Sequence, residues 1–352
     1  MKIAFLSFYS GEIYRGVETF VHEMANRLSD SGYNITVYQN GPRISGSKYK
    51  TVSIGLKVKW SAKPGGLPFI NYLSLLIKRF TGKVLKELDK DTDIVFPTNG
   101  QWGSLLCKLW AVRYGKKVVI SGQSGKGLDD RINLYAFPDV FVPISTQALR
   151  HSKGRNPFVK SVYIPNGVDL TKFKSEGKSY STKLHRPIIL SVGALVKSKR
   201  IDLIIEAVSR LSEASLLIVG DGEEKQSLEK LGNDLIPGRF EFLMAKHGEM
   251  PEIYRSANCF ALLPRSSEAF GIVYVEAMAS GLPVVAPNDE QRVEIVGQAG
   301  ILVDHIDEPE DIAFAINEAL GRKWGDGPRR QAQKFDWDSI AKKYEKLFKE
   351  II

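Results

Sequence analysis

Cysteine is nearly absent from this chain: Cys107 and Cys259 are the only two in 352 residues, each in an apolar segment and far apart in sequence. That rules out a disulfide framework and points to buried free thiols in a reducing compartment. The five histidines are scattered, and no Cys/His cluster has zinc spacing. No run of 18 apolar residues occurs, so nothing reads as a membrane span. The opening KIAFLSFY carries a lone Lys2 and a short apolar run before Glu12 and Arg15. It reads as a first buried strand, not as a signal peptide. The dinucleotide fingerprint GxGxxG is missing, which disfavours a nicotinamide cofactor. Ser121 to Gly127 is Gly-rich but is not a Walker loop, because Gly127 follows Lys126 where Ser or Thr is needed.

What is present is alternation. Short apolar strands alternate with amphipathic helical patterns along the whole chain, the signature of a doubly wound α/β architecture. The length favours two domains. Strands are expected at Ile3–Phe8, Ile35–Tyr38, Asp93–Pro97, Lys117–Ser121, Val140–Ile144 and Ser161–Ile164. A helix is expected at Gly16–Leu28, with Val17, Val21, Met24 and Leu28 on one face. The pattern restarts with a strand at Pro187–Gly193 and a helix at Arg200–Leu211. Further strands follow at Ser215–Gly220, Phe240–Leu243, Cys259–Leu263, Pro283–Ala286 and Ile301–Val303. Lys172–Lys183, rich in Lys and Ser, reads as a linker or exposed loop. Two such halves would leave a cleft suited to two substrates. Charge is uneven as well. Residues 1–167 carry 24 Lys and Arg against 11 Asp and Glu, whereas residues 168–352 carry 25 against 29. A basic first half suggests an anionic partner, although a solvated basic surface has the same composition.

Several candidate functional stretches lie where strands end. Pro264 to Pro287 leaves a strand, crosses a polar loop and opens a helix at Phe270 or Gly271 that stops at Gly281. Glu268 lies before that helix and Glu276 more than a turn inside it. Loop amides and a positive helix end could meet a phosphate, and a carboxylate could hold a ribose. Gly193 to Arg200 places Lys197, Lys199 and Arg200 at the edge of the second sheet, where positive charge would neutralise a diphosphate. Gly220-Asp221-Gly222-Glu223 ends another strand. Its acids could charge a helix start, or its glycines could leave room for a nucleobase. In the first half, Gly16 opens a helix directly after the first strand, and Gln123 sits in the Gly-rich loop where it could bond a sugar hydroxyl. Pro165-Asn166-Gly167 marks a turn between the halves.

Taken together, these stretches resemble the GT-B fold glycosyltransferases of family 4, which transfer a sugar from a nucleotide-sugar donor with retention of configuration. The matching stretches are YRGVETFVHEMANRL, IPNGVD, ILSVGALVKSKRIDLIIEAV, LLIVGDGE and SSEAFGIVYVEAMASGLPVVA. The resemblance implies two Rossmann-like domains facing across a cleft: an acceptor-side domain at 1–167, a donor domain at 168–335, and a helix at 336–352 packing back on the first. It implies that Glu276 holds the donor ribose and that Glu268 lies beside the transferred sugar. Backbone amides of Phe270, Gly271 and Ile272 would meet sugar or diphosphate. Lys199, with Arg200, would steady the phosphates, Gly16 would approach them from the first domain, and Gly220, Asp221 and Gly222 would border the base. No metal or other cofactor is implied.

Two departures stand out. Val192-Gly193-Ala194 lacks the arginine common in this family, and Lys197 and Arg200 are the nearby cations that would compensate. Gln123 stands where a histidine is frequent; it can position a sugar but not take a proton. The expected activity is transfer of a hexosyl unit from a UDP- or GDP-sugar to a glycan or lipid-linked acceptor. The competing readings are a non-catalytic nucleotide-sugar-binding or glycan-scaffold protein, and a GT-B epimerase or phosphorylase. LPFINYLSLLIKRF is apolar with a basic end, as in helices lying on anionic membranes, which implies a cytoplasmic protein peripheral to the membrane. A buried helix would have the same pattern. No nucleic-acid-binding motif is present.

Overall fold

The computed structural model describes every residue except Tyr14, residues 59–66 and residues 266–268. The chain divides into two compact units, residues 1–166 with 337–352, and residues 167–336. The first unit runs β1 (Lys2–Ser7), α1 (Gly16–Asp30), β2 (Asn34–Gln39), β3 (Lys50–Ser53), α2 (Tyr72–Glu87), β4 (Ile94–Pro97), α3 (Trp102–Tyr114), β5 (Lys117–Gly122), α4 (Leu128–Tyr135), β6 (Val140–Pro143) and α5 (Thr146–Arg155). Its sheet has the order β3-β2-β1-β4-β5-β6 and is parallel throughout. Helices cover both faces of a parallel sheet, which explains why Ile3 to Leu6 and Ile94 to Phe96 are unbroken apolar runs, all buried.

The second unit repeats this plan: β7 (Ile188–Val192), α6 (Ile201–Ser209), β8 (Ser215–Val219), α7 (Lys225–Leu235), β9 (Phe240–Leu243), α8 (Met250–Ser256), β10 (Cys259–Ala261), α9 (Ile272–Ala279), β11 (Val284–Pro287), α10 (Glu290–Val296), β12 (Gly300–Val303), α11 (Pro309–Gly321) and α12 (Gly327–Ala332). The sheet order is β12-β11-β10-β7-β8-β9, again parallel. In both units the chain starts in the middle, winds to one edge, then returns to wind to the other. The crevice between β1 and β4, and that between β7 and β10, are therefore the switch points at which such sheets bind ligands.

The last helix, α13 (Trp337–Ile351), belongs to the first unit. Its buried face, Trp337, Ile340, Ala341, Tyr344, Leu347 and Phe348, completes the core between the sheet and α1. Phe20 of α1 meets Trp337 and Tyr344 at ring separations of 6.0 and 5.8 Å. Arg27 donates to Asp338 at 2.6 Å and Ser31 to Glu345 at 2.7 Å along the rim of that contact.

Three features differ from the sequence-based expectations. Ser161–Ile164 runs beside β6 but makes only one bridge, Phe141 with Ser161. Val162 and Ile164 donate to Phe141 and Pro143. Pro143 has no N–H to return a bond, so the ladder cannot continue. β3 was not expected, because its four residues, KTVS, lie in a Lys- and Ser-rich stretch without an apolar run. Lys172–Lys183 is an exposed loop, as expected, but it is docked and not a free linker. Tyr180 and Thr182 donate to the two carboxylate oxygens of Glu241 at 2.8 and 2.5 Å, and Phe173 is buried in the second unit.

Tyr344 is fully buried against Phe20, Phe96 and Phe348. Tyr344→Ala should cost about 3–5 kcal/mol, as deletion of a buried aromatic ring usually does. Lys346→Ala, on the exposed face of α13, should change stability by less than about 0.5 kcal/mol. Denaturant unfolding of both variants checks this, and equal losses would remove α13 from the core of the first unit.

Candidate functional site

At the switch point of the second unit, β7 ends at Val192 and β10 at Ala261, and the loops that follow are joined. The Arg265 amide donates to the Ser198 carbonyl at 3.0 Å. Lys197–Lys199 forms one 3-10 turn. The methylenes of the half-buried Lys199 run along Gly193, where an added Cβ would sit 3.8 Å from Cδ and Cε. Arg200 is placed differently from its neighbours. It takes the left-handed conformation at φ 56°, is buried, and turns its guanidinium to the carboxylate of Asp307. The strand-end turn thus carries two cations, the exposed Lys197 and the half-buried Lys199, while Arg200 anchors the turn to the loop before α11.

The second component is α9. Ile272, Val273 and Val275 are weak helix formers, but α9 is a buried helix, and packing outweighs propensity here. Gly271 starts it at φ 81°, a left-handed position that favours glycine, and the Gly281 amide closes it onto the Met278 carbonyl at 3.0 Å. Phe270 is buried against Phe335, rings 5.7 Å apart, so the residue ahead of the helix start is held by packing. Gln291 of α10 donates to the Ala269 carbonyl. Glu276, on the fifth residue of α9, is 5% exposed. The Tyr254 hydroxyl donates to its Oε2 at 2.9 Å. Glu268 lies outside the described residues.

The Gly220–Gly222 turn has a cause other than space for a base. A Cβ on Gly220, at φ 152°, would lie 1.9 Å from the Gly193 carbonyl oxygen, and one on Gly222 would lie 2.4 Å from that of Leu195. Both glycines are required by the backbone of the neighbouring turn. The Leu195 amide donates to the Asp221 carbonyl and the Glu224 amide to the Leu195 carbonyl, each at 2.9 Å. Asp221 itself is exposed. The β7 and β8 loops therefore form one rigid rim.

In the first unit, Gly16 is the exposed first residue of α1. Gln123 follows β5, but its amide is engaged internally. It donates to Ser121 Oγ at 2.8 Å and to Asn166 Oδ1 at 3.1 Å, and accepts from Asn166 Nδ2 at 2.9 Å. Both of its N–H groups are used. Beneath the same loop lies Asp130, buried in α4, which accepts from the Ser124 amide at 2.9 Å. Among the described residues no group of three His, Cys, Asp or Glu side chains is gathered as metal ligands would be. The two cysteines are free and buried, and burial raises the Cys259 thiol to about 12.

Residues 14–172 match the family described as Glycosyltransferase Family 4, and residues 173–347 match Glycosyl transferases group 1. The chain belongs to the GT-B glycosyltransferases of family 4. It is 29% identical over 194 residues to a sulfoquinovosyl transferase of Arabidopsis thaliana, an alignment covering 50% of this chain and 37% of that protein. It is 30% identical over 205 residues to a GDP-mannose-dependent phosphatidylinositol monomannoside mannosyltransferase of Mycolicibacterium smegmatis, covering 52% of each. The chain thus spans about half or less of the length of these curated relatives. A structure of Anabaena HepE in complex with UDP and glucose superposes with a TM-score of 0.78, at 17% identity, over 99% of this chain and 100% of that one. At that identity the likeness concerns the GT-B fold.

Two side chains of this family 4 protein, Tyr254 and Asp130, had no sequence signal of their own, and Asn166 was legible only as a turn residue. Each is recognised by its hydrogen-bond partner in space. Asp130 also titrates unusually: burial raises it to about 7, against bonds from Ser124 and Gly125 that lower it. A carboxyl with a higher pKa folded than unfolded makes the folded state bind more protons across that window. Its contribution to stability is complete below about pH 4 and is lost as pH rises towards 7. Asp130→Asn removes that titration. Between pH 4 and pH 8 the stability of the variant relative to the natural protein should rise by a few kcal/mol at most, on the order of one per pKa unit. Urea unfolding at both pH values measures the difference, and a pH-independent one would contradict the buried titration.

Proposed function

We propose that this protein is a hexosyltransferase that moves a sugar from a UDP- or GDP-sugar to a glycan or lipid-linked acceptor, with retention and without a metal. The observation that carries this reading is the junction of two loops at the switch point of the second unit. The Lys199 turn and the loop leading to α9 are bonded to each other there, through Arg265 and Ser198. A cation, backbone amides at a helix start and a buried carboxylate are the groups a nucleoside diphosphate needs. In this reading Glu276 holds the ribose hydroxyls and Lys199 the diphosphate. The amides at Phe270, Gly271 and Ile272 meet sugar or phosphate, and Glu268 is assigned to the sugar. GDP in the name of the mannosyltransferase and UDP in the HepE complex favour these two donors for a first screen.

In a retaining transfer of this kind, the bond from the anomeric carbon to the leaving diphosphate breaks as the acceptor oxygen attacks the same face. The acceptor proton passes to the departing phosphate oxygen, so no protein base is required. That suits a first unit in which Gln123 is engaged with Asn166 and Ser121. The same engagement, with Ala194 in place of a cation, also favours a second reading, a nucleotide-sugar-binding scaffold without turnover. Release of UDP or GDP from a panel of their sugars decides between them. The enzyme should turn over at least one donor, and Glu268→Ala should lower kcat by at least about 100-fold, as loss of a group acting in the transition state does. Tight donor binding with no turnover would select the scaffold.

The first unit offers a surface for an anionic membrane, and we extend the proposal to it. Leu67 and Ile70 are exposed in the turn before α2, Tyr72 and Leu75 in its first turn, and Lys78, Arg79 and Lys83 further along it. Phe80 and Val84 face the core. An apolar end beside a cationic flank fits the interface of an anionic bilayer at the cytoplasmic face. Among the described residues no helix is long and apolar enough to cross a membrane. The protein should sediment with phosphatidylserine vesicles at low salt and be released by about 0.5 M salt, which shortens the Debye length to roughly half that at physiological strength. Ile70→Glu should weaken the binding. Equal recovery on neutral vesicles would end the membrane reading.

A further inference from the structure

Tyr254 is a fully buried tyrosine whose hydroxyl meets a carboxylate assigned to substrate. Its ring is held by Phe173 and Phe260 at centroid separations of 5.8 and 6.1 Å. Its hydroxyl reaches Glu276 Oε2 at 2.9 Å, with the Val273 carbonyl further away at 3.3 Å. A phenol has one proton, so the nearer, charged acceptor takes most of the bond. Burial, followed by the charge of Glu276, raises the phenol well above its usual range, so it remains a donor at any working pH. A glutamate reaches its site through three rotatable bonds, and α9 fixes only its backbone. The hydroxyl, carried by a closely packed ring, holds Oε2 and so restrains the terminal rotation of the carboxylate.

We infer that Tyr254 is a positioning residue for nucleotide binding: it orients Glu276 so that the carboxylate accepts the two ribose hydroxyls of the donor. The inference rests on the assignment of Glu276 to the ribose. It adds a residue from another helix, α8, that touches no substrate yet sets how strongly ribose is distinguished from its deoxy forms. A buried tyrosine serving only as packing would affect all ligands alike, because its bulk would matter and its hydroxyl would not.

Calorimetric binding of UDP and GDP, each against its 2′,3′-dideoxy counterpart, separates these cases. The natural protein should prefer the ribose form of at least one nucleotide by about 50-fold, the scale of two hydrogen bonds to a charged group. Tyr254→Phe should reduce that preference at least about fivefold, while dideoxy binding stays within about twofold. Glu276→Gln should nearly abolish the preference, and adding Tyr254→Phe to it should change nothing more. If Tyr254→Phe retains the preference, or weakens ribose and dideoxy forms equally, the positioning role is overturned. If Glu276→Gln itself retains the preference, the ribose assignment has failed, a result distinct from failure of Tyr254 alone. A second measurement avoids any loss of folding. 3-Fluorotyrosine placed at position 254 should shift its fluorine resonance on binding the ribose form and not the dideoxy form. The same shift for both would also overturn the inference.

Discussion

A parallel sheet covered on both faces has nowhere inside it for chemistry. Every strand of both units pairs in parallel, and residues such as Ile189, Leu190, Leu216 and Leu217 are completely buried. Polar groups are excluded from that layer unless partnered, so they are displaced to the strand ends, where backbone amides and helix starts become available. The divergence of the chain between β7 and β10 then leaves a crevice at one place on the rim. Lys199, the Gly220 turn and the start of α9 are consequences of that single constraint.

The rim is rigid because main chains touch there. Gly220 and Gly222 admit the carbonyls of Gly193 and Leu195 at distances no side chain would tolerate. Reciprocal backbone bonds between Leu195 and the 221–224 turn hold the two loops together. Arg200, bonded to Asp307, fastens the end of the same turn. Preorganised groups stabilise an arriving charge without reorganising, which is what the proposed donor role would ask of this rim.

Buried polar partnerships carry the remaining precision. Tyr254 with Glu276, Asn166 with Gln123, and Asp130 with the Ser124 amide each give a buried polar group a partner. Leaving any of them unpaired would cost more than the bond gains, which ties each residue to one geometry. The Gln123 pair also shows why a side chain at a plausible acceptor position can be occupied by its own fold.

The periodicity of the chain was sufficient for most strands, for α1 and α6, for the limits of α9 near Gly271 and Gly281, and for the two-unit plan. Apolar spacing reports burial directly, and burial is what forms these elements. The family motifs were equally legible, because they are contiguous. The single bridge at Ser161, the edge strand β3 and the docking of residues 172–183 were not, since each depends on a neighbour distant in sequence: Pro143 for the bridge, β2 for the edge, Glu241 for the docked segment. The same holds for function. Glu276 is proposed from its place in one motif. That Tyr254, 22 residues earlier, holds its Oε2 could be decided only when α8 and α9 packed against the same sheet, because a hydrogen bond depends on distance in space and not on distance along the chain.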